Sequence, residues 1–153
     1  MAAAHLSLPA VDEAEIYRHL ELDWVPPELR EDTGEISAAG EDSLPRLIVP
    51  TDVKGALHNH TTLSDGDATL EQMADAARNI GWNWLGIADH SPTLKVANGA
   101  SAEDLLAQGR QIKQYNEAWS NDGVDFRLFH GVESDILDGG KLDHPDDVLG
   151  ELD

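Results

Sequence analysis

The chain has 153 residues, enough for one ordinary domain and short for a large barrel. Hydrophobic residues make up 41% of it, which is compatible with a packed core and argues against wholesale disorder, and the absence of cysteine excludes disulfides and thiolate metal sites. Thirty acidic residues against ten basic give a formal charge of −20, so weak intrinsic affinity for nucleic acid is expected. No run approaches 18 apolar residues and the start, Met1 to His5, has no basic segment. Neither a membrane span nor a signal peptide is expected, and a cytoplasmic location is.

Residues 1–51 are rich in Pro and Glu, with one short amphipathic pattern at Asp12–Leu20, where Ile16 and Leu20 lie four apart. Trp24-Val25-Pro26-Pro27-Glu28-Leu29-Arg30 and a polar stretch follow, and the segment reads as an irregular interdomain linker. A domain is expected over residues 52–153. Its first strand runs over Val53–His58. Thr69-Leu70-Glu71-Gln72 is a capping box, and Leu70, Met73, Ala74, Ala77 and Ile80 form one helical stripe that Gly81 ends. A second strand, Asn83–Ala88, reaches Asp89-His90. Ser101 opens a helix in which Leu105, Ile112 and Trp119 recur every seven residues, and Asp122-Gly123 stops it. A third strand, Phe126–Val132, reaches Glu133, and Pro145 at N1 opens a last helix with Val148, Leu149 and Leu152 apolar.

The order β-α-β-α-β-α predicts an α/β fold of parallel strands with crossover helices. Alternation places Trp84, Gly86, Ala88 and His90 on one face of the second strand and Leu85, Ile87 and Asp89 on the other. The same scheme puts Ala56, His58 and His60 opposite Leu57. Small residues on one face and large aliphatics on the other suit a barrel lining against a helix-covered exterior.

His58 and His60, at i and i+2 on extended backbone, project to one side about 7 Å apart and can converge on one ion. Taken singly, each candidate has an ordinary explanation: solvent-facing histidines, a turn aspartate in Asp65-Gly66, a half-buried His90, a first solvated Glu133 beyond its strand. Together, three successive strands end in an imidazole or carboxylate at the end where parallel α/β folds assemble sites. Imidazole and carboxylate without sulfur suit Zn²⁺, Mn²⁺ or Fe²⁺, and such clusters build multi-metal phosphoesterase centres.

The segments Leu57-His58-Asn59-His60-Thr61-Thr62-Leu63-Ser64-Asp65-Gly66, Ala88-Asp89-His90-Ser91 and Gly131-Val132-Glu133 resemble the opening motifs of the PHP (polymerase and histidinol phosphatase) superfamily. Ala97-Asn98-Gly99-Ala100-Ser101, Leu105-Leu106-Ala107-Gln108 and Phe126 through Pro145 bring the chain closest to one branch, the C-terminal PHP domain of bacterial-type family X DNA polymerases. Pro26-Pro27-Glu28-Leu29-Arg30-Glu31 looks like the connector preceding that domain, so the similarity covers roughly residues 12–153. Ala88 stands where Thr is usual, Ser134 where an aliphatic is common and His144 where Tyr is frequent; none of these removes a ligand.

The resemblance implies the N-terminal half of a distorted (β/α)7 TIM-like barrel holding three divalent ions at the strand C-termini. His58, His60 and Glu133 would hold the first, Glu133 would bridge to the second, and Asp65 with His90 would belong to the third. Further histidine and Asp-x-His ligands would lie beyond Asp153, so an incomplete domain is expected, without the upstream polymerase modules. The implied activity of the intact protein is 3′–5′ exonuclease cleavage at DNA 3′ ends in repair. A stand-alone phosphatase of the histidinol-phosphate type and a non-catalytic metal-binding remnant are the rival readings. His130, of opposite parity to Glu133, reads as structural; His5, His19 and His144 read as bystanders; Asp89 reads as orienting its neighbour or capping a helix.

Overall fold

The computed structural model describes residues 9–153, so His5 lies outside the described residues. The chain divides into two compact units, Met1–Leu47 and Ile48–Asp153.

In the first unit, helix α1 (Glu13–His19) starts where the Asp12 side chain accepts a hydrogen bond from the Glu15 N–H. Glu13 and Glu15 in its first turn and Arg18 and His19 in its last both suit the helix dipole. The Ile16–Leu20 pair that marks this helix in the sequence remains largely exposed. Arg30 ties the segment together. Its guanidinium donates to the Val25 carbonyl at 3.0 and 2.9 Å, pairs with Glu13 at 2.8 Å, and lies over the Tyr17 ring. A second helix, α2 (Glu35–Gly40), has no counterpart in the sequence reading. It follows Gly34 in a left-handed conformation, and the Glu35 carboxylate accepts from the Asp32 and Thr33 N–H groups.

The second unit contains β1 (Gly55–Asn59), α3 (Leu70–Asn79), β2 (Trp84–Ile87), α4 (Ala102–Asn121), β3 (Arg127–His130) and α5 (Asp146–Leu149). The strands form one parallel sheet in the order β1-β2-β3. The fold is thus mixed α/β, with the alternation of elements that the sequence predicts. Thr69 and Gln72 close the expected capping box on α3, and Ser101 caps α4. Gly81 takes the left-handed conformation after α3, at a cost that a side chain would raise. Pro145 stands at the N-cap of α5, one residue earlier than expected, and α5 is a single turn.

The core lies on one face of the sheet. Leu70, Ala74 and Ala77 of α3 and Ile112 of α4 pack on Leu85, Ile87 and Leu128, with Phe126 beside them and Trp119 at the margin. Ile80 falls at the C-cap of α3 and stays 65% exposed, outside the stripe it was expected to join.

Alternation in β2 matches the expectation, but β1 has the reverse phase. Ala56 packs against the helix-covered core, whereas Leu57 is 68% exposed and lies over Gly86 on the opposite face. Pairing decides this. Ala56 sits opposite Leu85 in a parallel ladder, so the two point the same way, and Leu85 belongs to the core. Composition of a strand five residues long carries too little information to override its neighbour.

Candidate metal centre

Because Ala56 faces the core, a regular strand would send His58 there as well. It does not, because His58 adopts a left-handed backbone conformation (φ 65°) and the β1–β2 register breaks between Ala56 and Asn59. For a residue with a Cβ this conformation costs about 1 kcal/mol, and such outliers concentrate at functional positions. The Asn59 amide spans the irregularity by donating to the Gly86 carbonyl at 2.9 Å and the Ala56 carbonyl at 3.3 Å. The bulge turns His58 out of the helix layer and towards Glu133.

The loop after β1 folds back tightly on itself. Gly66 N–H donates to the Thr61 carbonyl at 2.9 Å, and so does Ser64 N–H at 3.1 Å. Gly66 is packed against the His60–Thr61 backbone so closely that a Cβ would sit 2.6 Å from the His60 carbonyl carbon. Asp65-Gly66 is therefore more than a turn dipeptide: the missing side chain lets Asp65 approach His60. Asp89 lies directly beneath. Its carboxylate is completely buried and accepts from Thr61 N–H, Thr61 Oγ1, Ser64 Oγ and Gln108 Nε2 at 2.6–2.8 Å. On the adjoining segment, Glu133 N–H donates to the Asp89 carbonyl and Ser91 N–H to the Glu133 carbonyl, continuing the parallel ladder to a His90–Glu133 bridge.

These supports bring all five candidate side chains together. Glu133 Oε2 lies 2.8 Å from His58 Nε2, 3.0 Å from His60 Nε2 and 3.4 Å from His90 Nδ1. Asp65 Oδ1 is 2.8 Å from His60 Nδ1, and Asp65 Oδ2 is 3.5 Å from His90 Nε2. The His58 and His60 rings stack at 5.3 Å, and His60 and His90 meet edge to face at 4.3 Å. The His60 hydrogen bond, aided by the nearby His90 and His60 imidazoles, holds the Asp65 carboxyl below its ordinary range. The His58 hydrogen bond, with His90 and His60 close by, does the same for Glu133.

Ligand atoms of His58, His60 and Glu133 all lie within 4.8 Å of one another, as do those of His60, Asp65 and His90. Three imidazoles and two carboxylates without sulfur fit a cation of the Zn²⁺, Mn²⁺ or Fe²⁺ kind. His60 belongs to both groups, but a neutral imidazole offers one lone pair and serves one of them at a time. With His60 in the first group, Asp65 and His90 are left as a pair.

The other described histidines lie elsewhere. His130 is buried on the helix side, its ring against Gly109 of α4. His144 is buried too, and His19 Nε2 lies 3.2 Å from the Pro9 carbonyl. Sequence reading assigned no part to Thr61, Ser64 or Gln108. A signal existed, because Asp89 has the parity of Leu85 and Ile87, and a carboxylate facing the core requires donors from the loop and helix that cover it. The left-handed His58 had no signal in the sequence.

Among the described residues, no helix is long and apolar enough to cross a membrane. No protein-family model matches the chain. The chain is similar to the DNA polymerase/3′-5′ exonuclease PolX of Bacillus subtilis (strain 168), with 44% identity over 141 residues, 92% of this chain. It spans 24% of the length of that curated relative. The relative's name pairs a polymerase with a 3′-5′ exonuclease, the same pairing to which the motif resemblance leads.

Proposed function

We propose that this chain carries part of a metal-dependent phosphoesterase module of a family X DNA polymerase, which acts as a 3′–5′ exonuclease on DNA 3′ ends. In this reading residues 1–51 are the connector and residues 52–153 open a PHP domain. The parallel three-stranded sheet is then the first portion of a distorted (β/α)7 barrel, completed by further chain in the longer protein.

The convergence of His58, His60, Asp65, His90 and Glu133 at the C-terminal ends of successive parallel strands carries the reading. His58, His60 and Glu133 would hold one cation, Glu133 would reach towards a second, and Asp65 with His90 would serve a third. Divalent cations held there would supply acidity towards water and positive charge for the phosphoryl oxygens. That charge also answers an electrostatic difficulty, since a chain of net charge −20 repels a polyanion. The protein's own contribution is orientation. Glu133 is fixed by the ladder to Asp89 and Ser91, and His58 is aimed by the bulge.

The test is substitution of both His58 and His60 by Ala in the longer polymerase, assayed with Mn²⁺ on a 3′-recessed DNA beside a small phosphomonoester. The expected result is loss of DNA cleavage. Retained cleavage refutes the assignment, and turnover of the phosphomonoester alone favours the stand-alone phosphatase.

A further inference from the structure

Gln108 is an unusual residue for its position. It stands on the buried face of α4 beside Leu105 and Ile112, and its Oε1 is buried with no hydrogen-bond partner. A methionine or leucine would fill the same space without an orphaned acceptor, so packing of α4 does not account for the amide. What the amide does is reach across. Nε2 donates to Asp89 Oδ2 at 2.6 Å and lies 3.3 Å from Thr61 Oγ1. The flipped orientation would set Oε1 against the carboxylate, so the chemistry fixes which way the amide points.

Among the described residues, Asp89 in turn has no cationic side chain as a hydrogen-bond partner. Its other three donors are Thr61 N–H, Thr61 Oγ1 and Ser64 Oγ, all on the loop between His60 and Asp65. The loop is thus held from below at Thr61 and Ser64, one residue from each of its two candidate ligands. Gln108 hydrogen-bonds this arrangement from α4, touching both Asp89 and Thr61.

We propose that Gln108 is a positioning residue: with Asp89 it latches the His60–Asp65 loop to α4 and so fixes the geometry in which His60 and Asp65 bind a divalent cation. The proposal rests on the metal-centre reading for its consequence but not for the latch itself. Without the Gln108 donor, Asp89 shares its second oxygen with Thr61 alone, and the loop gains freedom at the residue next to His60.

The test uses Gln108→Met in the full chain, with three readouts: amide hydrogen exchange at Thr61 in metal-free protein, the urea midpoint, and the Mn²⁺ dissociation constant. The expected pattern is at least a tenfold rise in Thr61 exchange, an unchanged or higher midpoint, and Mn²⁺ binding weaker by roughly 10- to 100-fold. Gln108→Asn, too short to reach Asp89, gives the same exchange and Mn²⁺ result, so the outcome does not hang on one variant. Unchanged Thr61 exchange overturns the latch, and faster exchange with unchanged Mn²⁺ affinity overturns the positioning role. A longer polymerase whose Mn²⁺ uptake is the same with and without His58 and His60 refutes the metal-centre reading; the latch then stands or falls on Thr61 exchange alone.

Discussion

Gly66→Ala offers a sharp test of how the loop is built. Gly66 does not need a positive φ, so its role is one of space alone. An added Cβ would lie 2.6 Å from the His60 carbonyl carbon and 2.8 Å from that of Thr61, where real Cβ atoms do not come within 3.0 Å. The obstacle is backbone rather than the end of a flexible side chain, so the loop itself must part, by roughly 1 Å to regain ordinary contact. That movement carries Asp65, the preceding residue, away from His60 and breaks their 2.8 Å contact. Overpacking of this kind costs about 1–3 kcal/mol, read as a lower urea midpoint. Disturbing the groups that orient metal ligands weakens Mn²⁺ binding by roughly 10- to 100-fold, read by isothermal titration. Gly40→Ala is the control. It ends α2 with open space around it, so it should be neutral or stabilising by up to about 1 kcal/mol. If Gly66→Ala matched wild type in both midpoint and Mn²⁺ affinity, close packing of the loop would not be what places Asp65.

Saturating Mn²⁺ at a hundred times its dissociation constant should stabilise the chain by about 2.7 kcal/mol, seen as a higher Tm that EDTA reverses and Glu133→Ala abolishes. Burial holds the His130 imidazole below its ordinary value of 6.5, against the opposing pull of Asp153, and burial likewise depresses His144. The unfolded chain therefore takes up protons first, so stability is full above about pH 6.5 and falls as pH drops through that value towards the folded-state pKa values. Urea midpoints at neutral and mildly acid pH should show the decline, and His130→Leu should flatten it; a midpoint that rises on acidification contradicts the sign. In Gly109→Ala a Cβ would lie 2.7 Å from the His130 ring, so this variant should lose the helix-propensity gain of about 1 kcal/mol that Gly40→Ala can realise. A more stable Gly109→Ala would show that the ring moves freely. Arg30→Ala should destabilise the first unit, detected as faster proteolysis within it, because the Val25 carbonyl and Glu13 lose their shared partner.

Much of the arrangement is legible in the chain because its signals are local. The Thr69–Gln72 capping box, Gly81 after α3 and the Ser101 cap of α4 each involve residues a few positions apart, and the structure has all three. Alternation in β2 correctly separates Gly86 from Leu85 and Ile87, since that strand is flanked on both sides. β1 shows where local signals end. Its pleat follows its partner β2, and only that pairing sends Ala56 inward and Leu57 outward. The two helices of the first unit divide the same way: α1 falls within the Asp12–Leu20 stretch marked by the Ile16–Leu20 spacing, whereas α2 depends on Gly34 and the Glu35 side chain folding back.

By itself the sequence determined the kinds of groups at the site and the order of the elements that carry them, because hydrophobic period and capping act within a few residues. Tertiary structure alone decided that five such groups meet. That outcome required a left-handed His58, a glycine at 66 with no space to spare, and the Asp89–Gln108 pair beneath the loop. The His58 conformation accompanies a register break against β2, the space at Gly66 is set by how the loop folds back on His60 and Thr61, and the Asp89–Gln108 pair joins two elements. A buried carboxylate's search for donors is settled only when the chain has folded around it.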